Sequence, residues 1–386
     1  MKIVFCSNYM NHHQLYLSQA LLSAGIDYSF IASERIEDER KEGGWKDLNT
    51  QYDWIVRIYE NAEQLELAKR LIKAADLVVV GSFPMKLIRK RIFQNKPVFL
   101  YSERWFKSSD GDINRFKTFH NRISNLIHRK YMNYFNVYML CASAYTAYDC
   151  SLYNNFKGKC YKWGYFPYVK KYDIDALIKK KEKNLPLQLL WVARMIDWKH
   201  LEYPVRLAKK LKDEGFDFVL NMIGVGDEYA RIKQEIEDSY LSGHVKLLGS
   251  MSTEKVREYM ESSDIFLFTS DYNEGWGAVL NEAMNSACAI VACEAIGSVP
   301  YLIKDGVNGL TYGYEDEEGF IDRVISLMKT PALREKLGRE AYRTILTEWN
   351  PDNAAKKLLL LYDKLILKKD VQIYEGICSK ADIIIR

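Results

Sequence analysis

Two glutamates eight residues apart, Glu274 and Glu282, stand in the stretch DYNEGWGAVLNEAMNSA. The apolar run before them reads as a strand, and the residues after Ala278 read as a helix. Gly275 and Gly277 allow a backbone to approach a ligand closely, and a helix start behind them offers free N–H groups to an anion. Glu282 lies about five residues into that helix, roughly 7 Å along its axis. Such a span suits two carboxylates gripping hydroxyls at the two ends of a pyrophosphate-linked ligand. The plainer alternative is a favourable charge at a helix N-terminus, Glu274, followed by a solvated helix residue, Glu282.

Other side chains with chemical potential also follow apolar runs. Arg194 and Lys199 bracket the stretch after LLWVAR, where two cations would clamp a diphosphate; two solvated surface cations are the alternative. GVGDE, opening on Gly224, is a glycine turn, but a lone GxG falls short of the dinucleotide fingerprint. In the first half, Asn11 reads as a helix cap that places His12, His13 and Gln14 in a first turn. Those histidines suit phosphate or sugar hydroxyls, or are ordinary cap-region side chains. After PVFLYS comes ERWF, in which Glu103 would bind a hydroxyl and Trp105 stack on a sugar ring; a strand-end salt bridge of Glu103 is the competing reading. Asp110 and Asp112 form a D-x-D in SSDGDIN, inside a Ser/Gly/Asp cluster typical of a loop. No metal site is expected there.

The elements that must position these residues alternate along the chain. KIVFCS (2–7), WIVRIY (54–59), DLVVVG (76–81), PVFLYS (97–102) and VYMLCAS (137–143) read as buried strands. NAEQLELAKRLIKAA (61–75) reads as a helix between them. The rhythm resumes with LQLLWVAR (187–194), FVLNMIG (218–224), VKLLGS (245–250), DIFLFTS (264–270) and AIVAC (289–293). This alternation implies parallel sheets covered by helices, which bind ligands outside the carboxyl ends of their strands. The expected organisation is an α/β domain over 1–169, a lysine-rich linker over 170–186, a second α/β domain over 187–350, and a C-terminal helix over 351–386.

Bulk properties exclude several classes. A chain of 386 residues with 48% hydrophobic and 27% charged content suits about two globular domains. Net charge is only +4 and no nucleic-acid motif is present, so nucleic acid is not an expected partner. No apolar run approaches the roughly 18 residues of a spanning helix, and no signal peptide is evident. Seven cysteines without CxxC spacing read as reduced, buried thiols of a cytoplasmic protein. From Met85 to Lys130, 12 Lys/Arg face three acids. Within that region, 114–135 adds aromatic and aliphatic residues at helical spacing. A basic amphipathic face of this kind would lie on anionic lipid at the inner face of the plasma membrane, recognise an acidic acceptor, or remain solvated.

Taken in order, Arg194…Lys199, IGVGDE, VKLLGS, DIFLFTS, EGWGAVLNEAM and GSVPYLIKDGVNGLTY (297–312) resemble the retaining glycosyltransferases of family 4. The resemblance is close over about 187–312 and weaker to about 350. It implies the GT-B fold, with two doubly wound Rossmann-like domains facing across a cleft, and an E-x7-E motif. Glu282 is similar to the family glutamate that holds the ribose, Glu274 to the one at the donor sugar, and Arg194 and Lys199 to the pair that neutralises the departing diphosphate. Gly224, Gly275, Trp276, Gly277 and Ala278 fall in the donor-binding stretches. His12, His13, Glu103 and Trp105 are the acceptor candidates.

The family implies a nucleotide-sugar donor, most often a UDP-sugar, with no cofactor and no metal. It further implies a glycan or lipid-linked glycan acceptor and a role in bacterial cell-surface polysaccharide synthesis. This chain departs from the family by carrying SNYMNHHQLYLSQAL where many members have a glycine pair. A nucleotide-sugar epimerase or hydrolase of the same fold, and a non-catalytic partner protein, are the alternatives.

Overall fold

The computed structural model describes residues 1–36, 46–106 and 132–385. Asp110, Asp112 and residues 114–131 of the basic stretch lie outside the described residues. The chain divides into two compact units, residues 1–168 with 349–386, and residues 169–348.

The first unit is built on seven parallel strands: β1 (Lys2–Ser7), β2 (Asp27–Ala32), β3 (Ile55–Arg57), β4 (Leu77–Val80), β5 (Val98–Ser102), β6 (Val137–Cys141) and β7 (Cys160–Lys162). Central strands buried on both faces select β-branched residues, and β4, Leu-Val-Val-Val, is buried at every position. Each such side chain contributes about 1.5–3 kcal/mol on burial, so a charge anywhere in β4 would break the sheet. Spatial order is β3-β2-β1-β4-β5-β6-β7. The chain therefore runs outward from β1, then returns to β1's other side with β4. That reversal is the switch point where parallel sheets open a ligand crevice at their carboxyl ends. Helix His12–Ser23 follows β1, and the Asn11 side chain accepts from the backbone N–H groups of His13 and Gln14 at 3.0 Å each, as the sequence predicts.

The second unit has six parallel strands: β8 (Leu187–Val192), β9 (Phe218–Ile223), β10 (Val245–Leu247), β11 (Ile265–Phe268), β12 (Ala289–Cys293) and β13 (Leu310–Tyr312), in the order β10-β9-β8-β11-β12-β13. Its switch point falls between β8 and β11. The same rule thus makes the residues just after β8 and just after β11 the ones to inspect.

Two lysine- and arginine-rich stretches depart from the sequence reading. Residues 170–186, expected as a linker, fold into the second unit with a helix at Ile174–Lys181. Leu177 and Ile178 pack there with Ala287 and Tyr342. Lys181 is buried, and its ammonium donates to the carbonyls of Ser263 (2.6 Å), Ser286 (2.8 Å) and Met260 (3.2 Å). Similarly, Arg91 of the basic region is 3% exposed and donates to the carbonyls of Ala75, Ile72, Asp76 and Pro97 at 2.8–3.1 Å. It fastens helix Ala62–Ala74 to the sheet and offers nothing to a membrane or an acceptor. No described helix is long and apolar enough to cross a membrane.

Candidate functional site

At the second unit's switch point, Lys199 ends a short 3-10 turn, Asp197–Lys199, that follows β8. Two contacts fasten this turn to the residues after β11, and a third fastens β8 to them. The Thr269 hydroxyl donates to the Lys199 carbonyl (2.6 Å) and accepts from the Trp191 indole N–H (2.9 Å), while Asp271 N donates to the Trp198 carbonyl (3.2 Å). So placed, the Lys199 ammonium lies against the Glu274 carboxylate in an ion pair and 4.2 Å from the centre of the Trp198 ring. Ser270 Oγ also donates to Glu274 (3.2 Å). Both charged side chains are largely buried, at 9% and 15% exposure. Arg194, by contrast, is exposed at the start of the same loop.

Two glycines allow the loop after β9 to press onto the loop after β8. At Gly224 φ is +142°, and a Cβ there would stand 1.8 Å from the Ala193 carbonyl oxygen. At Gly226 φ is +156°, with Met195 O 2.3 Å from an added Cβ. Met195 N donates to Val225 O and Glu228 N to Met195 O, both at 2.9 Å. Gly224 therefore supports the cation-bearing loop through backbone proximity. Gly277 has φ +81°, and its Cβ would fall 2.4 Å from the Phe268 ring.

Trp276 was expected among the donor-binding residues, but its indole is fully buried and donates to Asn281 Oδ1 (2.9 Å). It is a core side chain that sets the turn between the two glutamates. Gly275 and Ala278 flank this turn; Ala278 leads into helix Val279–Asn285. Glu282 sits on that helix 3.9 Å from the Arg257 guanidinium, whose Nη1 donates to the Glu282 carbonyl (3.1 Å). Burial raises the Glu282 pKa, and Arg257 opposes the rise.

The sequence reading missed His200. This residue follows Lys199 in the left-handed conformation (φ 49°), with its ring between Glu202 Oε1 (3.1 Å) and Asp271 Oδ2 (3.5 Å). The Asp271 and Glu202 carboxylates lift its pKa to about 9 against the cost of burial. Asp271 is itself held low: burial works against its charge, but His200 and the amide of Asn273 outweigh it. An imidazolium thus ties the Lys199 turn to the Glu274 loop. Its adjacency to Lys199 in WKH was the available signal.

In the first unit, the carboxyl ends of β1, β4 and β5 border an open cavity of about 600 Å³. Of the predicted residues, His13, Glu103 and Trp105 line it, whereas His12, one residue earlier on the helix, does not. Tyr165, which sequence reasoning did not single out, donates to Glu103 Oε1 (2.7 Å), and its ring stacks on His13 at 5.3 Å and 4°. Tyr101 and Gln14 bond to each other in the cavity wall. Gly81 makes room for Tyr101, since a Cβ there would lie 2.5 Å from its ring. Among the described residues no group of three or more His, Cys, Asp or Glu side chains is arranged to hold a metal.

Residues 173–344, within the second unit, match the family described as glycosyl transferases group 1. The amylovoran biosynthesis glycosyltransferase AmsK of Erwinia amylovora is 30% identical over 185 residues, covering 47% of this chain and 45% of that protein. The match thus spans about half the length of the curated relatives. Among solved structures, HepE of Anabaena in complex with UDP superposes with a TM-score of 0.68 at 14% identity, covering 93% of this chain and 98% of that one. A mutant of TarM from S. aureus, in complex with fondaparinux, alpha-GlcNAc-glycerol and UDP, gives 0.66 at 12% identity, covering 93% and 99%. These likenesses establish the fold as GT-B.

Proposed function

We propose that this chain is a retaining glycosyltransferase of family 4, which takes a nucleotide-diphosphate sugar at the β8/β11 switch point of its second unit. The observation that carries the reading is Lys199, fixed beside Glu274 at that switch point inside the matched segment, with Arg194 on the same loop. Lys199, held by its ion pair with Glu274, is preorganised for the charge that develops on a departing diphosphate, and the exposed Arg194 on the same loop adds a second cation. In the transfer, the bond from sugar C1 to the diphosphate oxygen breaks and a bond from C1 to an acceptor oxygen forms on the same face. The acceptor proton passes to the departing phosphate oxygen, so no strong protein base is required. Glu274 keeps the Lys199 ammonium in place and meets the donor sugar, while Glu282 anchors the ribose. Fixed cations fill the role a metal plays elsewhere, so chelation leaves turnover unchanged.

The acceptor is a glycan or lipid-linked glycan bound by the first unit, and the product enters a cell-surface polysaccharide; the biosynthetic glycosyltransferase in AmsK's name and the alpha-GlcNAc-glycerol named in the TarM complex support the glycan part of this reading. UDP is the favoured carrier because both solved neighbours hold it. The test is nucleoside diphosphate release from a panel of UDP-, GDP- and ADP-sugars, with the anomeric configuration of any product read by NMR. An inverted product sinks the retaining assignment. Release from none of the donors, with any glycan supplied, sinks the transferase itself.

A further inference from the structure

Arg257 stands in helix Thr253–Ser262, which Ser252 caps by accepting from Lys255 N (3.3 Å). Its Nη1 donates to the Glu282 carbonyl (3.1 Å), to Asn285 Oδ1 (3.0 Å) and to Ser286 Oγ (3.4 Å), all on helix Val279–Asn285 or at its end. Its Nη2 lies 3.9 Å from Glu282 Oε1. Lys181 and Arg91 donate to main-chain carbonyls, whereas Arg257 holds the carbonyl and faces the carboxylate of one and the same residue. One guanidinium thus fixes both the backbone and the charge at position 282. Among the described residues it is the one cation within ion-pair distance of Glu282, and no protein donor is hydrogen-bonded to the Glu282 carboxylate. The Glu282 side chain keeps 28% exposure, so its oxygens stay open to a ligand. Burial drives a carboxyl toward its neutral form, and a nearby cation favours the charged one. The difference matters to a diol: an ionised carboxylate accepts from two hydroxyls, whereas a protonated one turns one of its oxygens into a donor.

We propose that Arg257 is a positioning residue of the donor site, holding the Glu282 carboxylate ionised and aimed so that it accepts from both ribose hydroxyls of a nucleoside diphosphate. The inference rests on the reading of Glu282 as the ribose anchor and adds to it a residue 25 positions earlier in the chain, outside the E-x7-E stretch. Arg257 acts through Glu282 and touches no substrate. Its removal would leave a largely buried carboxylate without its cation, and such a group relaxes by taking up a proton or turning toward solvent. Either response withdraws one acceptor from the diol and leaves the diphosphate contacts of Lys199 and Arg194 as they were. The loss therefore falls on ribose recognition and not on nucleotide binding as a whole.

Calorimetric titration of the full chain tests this with UDP, GDP and ADP, each beside its 2′,3′-dideoxy analogue. Wild type binds the preferred ribonucleotide about tenfold or more tightly than its analogue, the scale of a hydrogen bond to a charged group. Glu282→Gln narrows that ratio to about threefold or less. Arg257→Gln, which keeps a donor for the Glu282 carbonyl but not the charge, narrows it as far and leaves affinity for the analogue close to that of wild type. Arg257→Lys, which keeps the charge but not the fork, falls between the two and carries the test if Arg257→Gln fails to fold. Adding Arg257→Gln to Glu282→Gln narrows the ratio no further, because both act on one contact. The inference is overturned if every Arg257 variant that folds keeps the wild-type ratio. It is equally overturned if ribonucleotide and analogue lose affinity together, since Arg257 is then only a clip between two helices. A ratio that Glu282→Gln leaves unchanged retires the ribose anchor, and the role of Arg257 with it. A ratio lost in Glu282→Gln but kept in the Arg257 variants retires the role of Arg257 alone.

Discussion

At the β8/β11 switch point the side chains are charged and held by ion pairs: Lys199 on Glu274, and His200 between Asp271 and Glu202. At the β1/β4 switch point they are mainly neutral and held by hydrogen bonds and stacking: Tyr165 on Glu103 and on His13, Gln14 on Tyr101. The two crevices arise from the same reversal of strand order, so topology sets their location and side chains set their chemistry. Fixed charge suits a diphosphate that must leave as an anion. Neutral hydrogen-bonding groups suit a hydroxyl compound that must be chosen and oriented.

The largest expected effects lie on the charged side. Arg194→Ala and Lys199→Ala should each lower kcat/KM about 100-fold or more, the scale of losing one preorganised charge donor. Their stabilities should diverge, because Arg194 is exposed whereas Lys199→Ala leaves the Glu274 carboxylate largely buried without its cation. Melting temperatures that fall equally, or activities that barely change, would break the proposed division between an exposed and a buried cation.

A smaller effect concerns backbone packing. Gly224→Ala should cost the upper end of about 1–3 kcal/mol in chemical denaturation, since its Cβ would overlap the Ala193 carbonyl, and donor affinity should fall with it. Gly25→Ala, in the first unit, shares a positive φ (+74°) but meets nothing within 4 Å, so it should cost only about 1–2 kcal/mol and spare donor affinity. Equal losses from the two variants would mean that conformation alone, and not the pressing together of the two loops, makes Gly224 necessary.

A further effect is a pH dependence. His200 titrates near 9 in the folded chain against an ordinary value of about 6.5. Its stabilisation is therefore complete below about pH 6.5 and lost as pH rises through about 9. Asn tolerates the left-handed backbone at that position, so His200→Asn removes the charge with little added strain. The melting-temperature gap between wild type and this variant should be widest near pH 6 and should close by about pH 10. A gap that does not change with pH would assign His200 to packing alone.

Much of this was legible in sequence, and the rest was hidden for identifiable reasons. The uninterrupted apolar strands, such as Leu77–Val80 and Ile265–Phe268, announce themselves because burial on both faces demands unbroken apolar runs. β2 was missed because Asp27 and Ser29 interrupt DYSFIA, and β7 and β13 because three residues carry too little pattern. Strand order, and with it the switch points, depends on crossovers that no local pattern records. Lys181 and Arg91 misled for a different reason, since a cation that clips carbonyls reads identically to a solvated one. Of the site residues, Lys199 and Glu274 were visible through their spacing from strand ends. Tyr165 was not, because its partner Glu103 stands 62 residues away in the chain.

The most direct test of the charged switch point is calorimetric titration of UDP, GDP and ADP into wild type, Arg194→Ala and Lys199→Ala. A charge-assisted hydrogen bond contributes about 1.5–3 kcal/mol, so each substitution should weaken the preferred nucleotide by roughly 10–100-fold. Raised salt should also weaken binding to wild type more than binding to either variant. Affinity that is unchanged in both variants, or absent for every nucleoside diphosphate in wild type, would contradict the account.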